Sequence, residues 1–221
     1  GGGGHSYLAY IAMVEELAKY CATTSIMFAA HHSLGAYALS VLGTPEQQEK
    51  YLVPLMKGEK LGAFGATEPG AGTDLGSQQT RAEDMGDHWL LNGSKIFITN
   101  GSYADIYFIS AVTDPEQKSR GISAFIVEKG TPGFTFGKKE KKMGIRGSAT
   151  YELVFQDCKI PKENLLGERG KGFKTALTTL DGGRISVAAQ AVGIAQGAID
   201  CCKKYVTEHS TGGQLISKYQ Y

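Results

Sequence analysis

The hydrophobic period of this chain changes twice, and that change limits what it can fold into. Over residues 1–60 apolar side chains recur at helical spacing, over 61–160 they alternate, and over 161–221 helical spacing returns. This order predicts an α+β protein in three parts. A helical N-terminal part comes first, then a central antiparallel β-barrel or sandwich of about seven strands, then the start of a helical bundle. With 221 residues the chain can bury a substantial core.

In the first part Ser6 can cap a helix whose apolar positions are Leu8, Ile11, Val14, Leu17, Ala18 and Cys21. Ala22-Thr23-Thr24-Ser25 reads as a break, and a second helix over 26–42 ends at Gly43. Thr44-Pro45-Glu46-Gln47 is a capping box with proline at the first helical position, so a third helix starts there, and Pro54 should end it. His31 and His32 lack partners one turn on and read as core-edge or solvent-facing residues, not metal ligands. In the last part Ala188, Ala191, Ala195, Ala198, Cys202 and Tyr205 form a seam of mostly small residues. No mate for that seam stands out, and Tyr221 ends the chain without a cap. Both points predict a slice of a longer chain, or pairing with another subunit.

In the middle, alternating runs fall at 79–83, 88–91, 95–99, 106–112, 122–127, 134–136 and 151–155. Asn92-Gly93 between two of them predicts a type I′ hairpin. Residues 161–172 read as a glycine-bearing linker. Two stretches could carry chemistry. Residues 62–74 pass from strand to loop, with Gly70 and Gly72 placed to bare backbone N–H groups toward an anion or a polar ring edge and Thr67 and Thr73 adding hydroxyls at either end. Residues 95–101 form a strand ending on Thr99 and a turn. On spacing alone the loop reads equally as a surface turn, being neither G-x-G-x-x-G nor a P-loop. Phe97 alone reads as core, Thr99 as a β-former, and Asp181-Gly182-Gly183-Arg184 as a helix break with a salt bridge.

A net charge of +1 argues against nucleic acid as a main partner. No apolar run approaches the ~20 residues of a membrane span, and Gly1–His5 lacks the features of a secretory leader. Cys21, Cys158, Cys201 and Cys202 form no C-x-x-C pair and read as reduced thiols, with no metal site. The 30 glycines cluster at 65–76 and 167–183 without a repeat.

Four segments in order resemble the acyl-CoA dehydrogenases, most of all the short-chain, butyryl-CoA type of anaerobic bacteria. They are Ala66-Thr67-Glu68-Pro69-Gly70-Ala71-Gly72-Thr73-Asp74, residues 92–101, Lys142-Met143-Gly144-Ile145-Arg146-Gly147-Ser148 and Leu180-Asp181-Gly182-Gly183-Arg184-Ile185. The resemblance implies that 1–60 is the end of an N-terminal helical domain, 61–160 the middle β domain, and 161–221 a linker and the start of a C-terminal helical domain. It implies FAD, with Phe64, Ala66 and Thr67 edging the flavin ring and Gly72 and Thr73 holding the pyrophosphate. Phe97 and Ile98 would lie against the ring, and Thr99 would bond to N5. Thr73, Asp181, Gly182, Gly183 and Arg184 would stand toward the acyl-CoA substrate, with Ile26 and Ala30 flooring the acyl pocket.

The implied reaction is α,β-dehydrogenation of a short acyl-CoA, with electrons passed to an electron-transferring flavoprotein by a homotetramer. Its compartment would be the bacterial cytoplasm or a mitochondrial matrix. No catalytic residue is identified: the family's base is a glutamate, usually further along than residue 221, and its minority position before the arginine is Gly183 here. His209 and Gly212 replace an arginine and a phenylalanine that grip a neighbouring subunit's FAD, whereas Gly213 and Gln220 fit the pattern. An acyl-CoA oxidase, an enoyl-CoA reductase, or a flavin- or CoA-holding protein without a base would share this scaffold.

Overall fold

A computed structural model describes residues 4–220. The readings that rest on Gly1–Gly3 and Tyr221 lie outside the described residues.

Helix α1, Tyr7–Tyr20, starts where Ser6 accepts the Ala9 N–H. The break after it is one residue, not four: Cys21 is extended at φ −153° and Ala22–Ser25 are already helical. Helix α2 spans 22–42 and widens into a π-helical stretch over Ala30–Ala36 before Gly43 ends it. The capping box forms as read. Thr44 Oγ1 accepts the Gln47 N–H at 3.2 Å, and Gln47 Oε1 accepts the Thr44 N–H at 3.1 Å. Helix α3 covers 45–56 and passes through Pro54 to Met56. A second π-helical turn, Gln48–Leu52, precedes Pro54, and that widened turn makes room for the ring.

Strands β1 (Gly62–Gly65), β2 (Arg81–Asp84), β3 (His88–Thr99), β4 (Ile106–Val112), β5 (Ile122–Glu128), β6 (Phe134–Lys139), β7 (Thr150–Pro161) and β8 (Leu165–Leu166) make one sheet. Its order is β6-β7-β3-β2-β4-β5-β8, with β1 beside β4. Most pairs are antiparallel, but β1 runs parallel to β4, and β2 meets β4 in parallel at Arg81 and Val112, so the sheet is mixed. Asn92-Gly93 is no hairpin: β3 runs straight through it with a bulge between Leu91 and Gly93. Asn92 is occupied across the sheet, where Oδ1 accepts the Asp157 N–H at 2.8 Å and Nδ2 donates to Asp157 Oδ1 at 3.2 Å. The 161–172 stretch is only partly a linker, because β8 pairs with β5.

The sheet encloses a core of residues including Trp89, Leu91, Tyr107, Phe125 and Phe155. A second core with Leu39, Tyr51, Leu55, Phe108 and Ile126 joins α2 and α3 to the sheet. Helix α4, Gly172–Glu208, crosses the molecule. Its buried face is Thr175, Thr179, Gly183, Ser186, Ala189 and Gly193, not the alanine seam, which is exposed. Its mate in this chain is α1. A Cβ on Gly193 would lie 2.1 Å from Glu15 O, and one on Gly197 would lie 2.3 Å from Lys19 O, so glycine alone permits the crossing. An 18-residue window of α4 has a mean hydropathy of 1.3, enough by length and composition to cross a membrane, which the sequence reading overlooked. Here the helix packs one face against protein.

Candidate functional site

Two segments meet edge to edge. After β1 the chain runs through Ala66 and Thr67 into a tight turn, where Glu68 and Ala71 exchange both backbone hydrogen bonds around Pro69-Gly70. The neighbouring end of β3 is tied on by the Ile96 N–H, which donates to Thr67 O at 2.9 Å. Between Lys95, opposite Leu153, and Ile98, opposite Tyr151, β3 carries a bulge. The bulge changes the parity of the strand. Lys95 and Ile98 point inward, and Phe97, at φ 60°, stands 59 % exposed. Asn100, at φ 65°, closes the segment and donates through Nδ2 to Gly62 O at 3.3 Å.

The result is a cleft of about 190 Å³ lined by Phe64, Ala66, Thr67, Gly72, Phe97, Ile98 and Thr99, with Ala30, Leu34, Leu75 and Leu180 completing it. A second hollow of about 360 Å³ shares Ala30, Leu34, Thr99 and Leu180 with it, and runs on to Ile26, Gly183, Arg184 and Val187. Thr99 and Leu180 therefore stand where the two join. A wider groove of about 570 Å³ lies elsewhere, among Tyr7, Tyr10, Phe28 and His32, without the loop or the strand hydroxyls.

Of the substrate-side candidates, Gly183 and Arg184 line the second hollow. Thr73 and Asp181 are exposed and on neither wall, and Gly182 O accepts the Tyr7 hydroxyl at 2.5 Å. Helix α4 is unbroken through Asp181–Arg184, and these two form no ion pair among the described residues. Neither wall carries a carboxylate among the described residues. No cluster of His, Cys, Asp and Glu fit for a metal occurs among them either. At the far end of α4, His209 stacks on Tyr205 at 3.8 Å between ring centres, and Gly212 takes φ 58° in the turn that follows.

Sequence reasoning missed the residues behind the cleft. The Lys95 side chain is fully buried and donates to Glu68 Oε1 at 2.7 Å, Gln78 Oε1 at 2.8 Å and Ala66 O at 3.2 Å. Glu68 also accepts the Gln79 and Thr80 N–H groups, at 2.6 and 3.0 Å. Burial lowers Lys95 to about 8, with Glu68 opposing the shift. Burial alone would raise Glu68, but the Lys95 charge and the hydrogen bonds outweigh it and hold the carboxyl below its usual range. The available signal was a lysine inside an otherwise apolar strand, 27 residues after a glutamate in the loop.

Three family models match in chain order: the acyl-CoA dehydrogenase N-terminal domain over residues 1–59, the middle domain over 63–158 and the C-terminal domain over 170–221. The chain is 56 % identical over 220 residues to the short-chain specific acyl-CoA dehydrogenase of Clostridium acetobutylicum, covering 100 % of this chain and 58 % of that protein. Its fold matches butyryl-CoA dehydrogenase of Megasphaera elsdenii with a TM-score of 0.95 and 57 % identity, over 99 % of this chain and 57 % of the other. A structure reported for the electron transferring flavoprotein of Acidaminococcus fermentans matches with a TM-score of 0.97 and 56 % identity, over 100 % and 58 %. The chain thus spans a little over half the length of the relatives it matches.

Proposed function

Because this chain belongs to the acyl-CoA dehydrogenase family, we propose that it is the flavin-bearing section of an enzyme that oxidises a short-chain, butyryl-CoA-like thioester to its α,β-enoyl form. One observation carries the reading: Ala66, Thr67, Phe97 and Thr99, drawn from two segments about thirty residues apart, line a single cleft. Members of the family use FAD, and the residues present fit its ring. Thr67 and Thr99 offer hydroxyls, Phe97 offers an aromatic face, and at Gly70 and Gly72 no atom would obstruct close approach. FAD, when bound, would supply the two-electron acceptor.

This chain's own residues bind, orient and line the site. Thr67 would donate to the pyrimidine edge and Thr99 toward N5, where preplaced donors favour the charge that gathers on reduction. Gly72, with the exposed Thr73, would carry the pyrophosphate. Leu34, Leu75 and Leu180 give the cleft apolar walls, which Leu34 and Leu180 continue into the second hollow. Arg184 would face the substrate chain, and Ile26 and Ala30 would meet an aliphatic acyl group. The general base would come from outside this span. We read residues 1–60, 61–160 and 161–221 as sections of the three family domains. The exposed apolar face of α4, with Ile185, Val192 and Ile199, suits cover by further helices or another subunit of a homotetramer. Electron transfer to an electron-transferring flavoprotein fits the same reading. So does a reducing compartment, bacterial cytoplasm or mitochondrial matrix, since three of the four free cysteines are exposed.

The test is to purify the full-length protein and add butyryl-CoA without oxygen. Bleaching of the visible flavin band supports dehydrogenation. A protein that carries no flavin, or a flavin that stays oxidised with every short acyl-CoA offered, defeats the assignment.

A further inference from the structure

Lys95 takes the Ala66 carbonyl from behind, on the core side of the loop. In a planar trans peptide the carbonyl and the next N–H point in opposite directions. With the Ala66 oxygen turned to the buried ammonium, the Thr67 N–H is turned away from the core, on the side where Thr67 lines the cleft. That N–H has no hydrogen-bond partner among the described residues, although Thr67 O is taken by Ile96. A donor left free beside a part-buried cleft is costly unless a ligand takes it up.

We propose that Lys95 is a positioning residue, which holds the Ala66–Thr67 peptide with its N–H facing the flavin edge, while Glu68 and Gln78 hold Lys95. The inference rests on the flavin reading above. Its parts form a closed network. Glu68 joins Lys95 to the N–H groups of Gln79 and Thr80, and Gln78 joins it to the Ser110 hydroxyl at 2.7 Å, so Lys95 is fixed from three sides. The pair is neutral overall when both members are charged, so it adds no net charge behind the cleft. Without it the peptide can rotate, and the cleft loses a preplaced donor to the pyrimidine side.

Removing Lys95 alone would strand a buried carboxylate and risk the fold. The test therefore uses Lys95→Met combined with Glu68→Gln in the full-length flavoprotein, read by the visible flavin spectrum, the reduction potential, and kcat against KM. The double variant is expected to hold flavin with a shifted band. Its preference for reduced over oxidised flavin should fall about tenfold, or about 30 mV toward the negative for a two-electron couple. Its kcat should fall more than its KM changes. Gln78→Met loosens Lys95 without removing it, should shift the band in the same direction but less far, and serves if the double variant fails to fold. A wild-type protein with flavin bound, beside variants of unchanged spectrum and potential, overturns the positioning role and leaves the cofactor reading standing. A wild-type protein that binds no flavin overturns both.

Discussion

Gly35 of α2 and Gly62 of β1 pack backbone against backbone. A methyl group on Gly35 would lie 3.1 Å from Gly62 Cα. This contact sets how closely the π-helical stretch bearing Ala30 and Leu34 lies over the cleft. Gly35→Ala should cost about 1–3 kcal/mol, the usual penalty of overpacking, because rigid backbone and not a side chain must yield. Urea unfolding measures it. Gly58→Ala is the control for strain without crowding, since Gly58 has φ 72° and open space around its Cα. A Gly35→Ala protein as stable as wild type would show that the two elements slide freely.

His31 fastens the same joint. Its Nδ1 accepts the Gly62 N–H at 3.0 Å, which leaves Nε2–H to donate to Leu55 O at 3.1 Å. This is a neutral tautomer, and burial holds its pKa below the ordinary histidine value against a smaller opposing effect of the Leu55 carbonyl. A depressed folded value means the unfolded chain binds the proton more readily. The stability is therefore present above about pH 6.5 and lost as pH falls through the folded value. In His31→Leu the overall stability should drop by about 1–3 kcal/mol at neutral pH, through the unpaired Gly62 and Leu55 groups. The loss of stability between about pH 8 and about pH 5 should also shrink relative to wild type. His32 is depressed by burial and, to a smaller extent, by the charge of His31, so in the variant its own depression also eases and acts in the same direction.

What was legible in the sequence was what depends on near neighbours. The capping box at Thr44–Gln47 and the cap at Ser6 are local chemistry, and both formed. The cleft residues were legible only through their resemblance to a family, because Phe97 and Thr99 alone look like ordinary strand residues. The misreadings have long-range causes. Asn92-Gly93 has ideal turn chemistry, but Asp157, 65 residues on, takes the asparagine amide and turns the pair into a bulge. The α4 seam was misplaced because alanines mark a close approach less well than Gly193 and Gly197, which meet α1 through their bare backbone. Lys95 was missed because a charge reads as solvated until the partner that buries it is known.

Gly93 provides a sharper test of the bulge. It sits at φ 142°, and an added Cβ would lie 2.6 Å from Thr80 Oγ1 and 2.7 Å from Thr80 Cα. Strain and overlap both act, so Gly93→Ala should destabilise by about 3 kcal/mol or more. Gly86→Ala, with φ 93° and nothing within 4 Å, carries the strain alone and should cost about 1 kcal/mol. Equal costs at the two sites would mean that β2 and β3 can part to admit the methyl group.

Thr99 stands where the two hollows join. Thr99→Val keeps the shape and removes the hydroxyl, so flavin content should hold while acyl-CoA-driven bleaching slows roughly ten- to a thousandfold. Thr99→Ser should recover most of the rate. Stopped-flow absorbance separates the outcomes, and an unchanged rate in the valine variant would remove Thr99 from its assigned place at N5.

Phe97 sets stability against function at one position. A non-glycine residue at φ 60° costs about 1–2 kcal/mol, and a ring 59 % exposed recovers little of that by burial. Phe97→Gly relieves the strain but frees the unfolded chain, so the apoprotein should be within about 1 kcal/mol of wild type, or slightly more stable. The holoprotein should behave in the opposite way. Loss of an aromatic face against the flavin removes about 0.5–1.5 kcal/mol of stacking, so FAD should dissociate up to about tenfold more readily. Comparing melting curves with and without added FAD tests both halves, because ligand stabilisation follows the affinity for the folded state. A variant that loses several kcal/mol as apoprotein would show that the bulge depends on the ring, and one that keeps FAD as tightly as wild type would place Phe97 away from the cofactor.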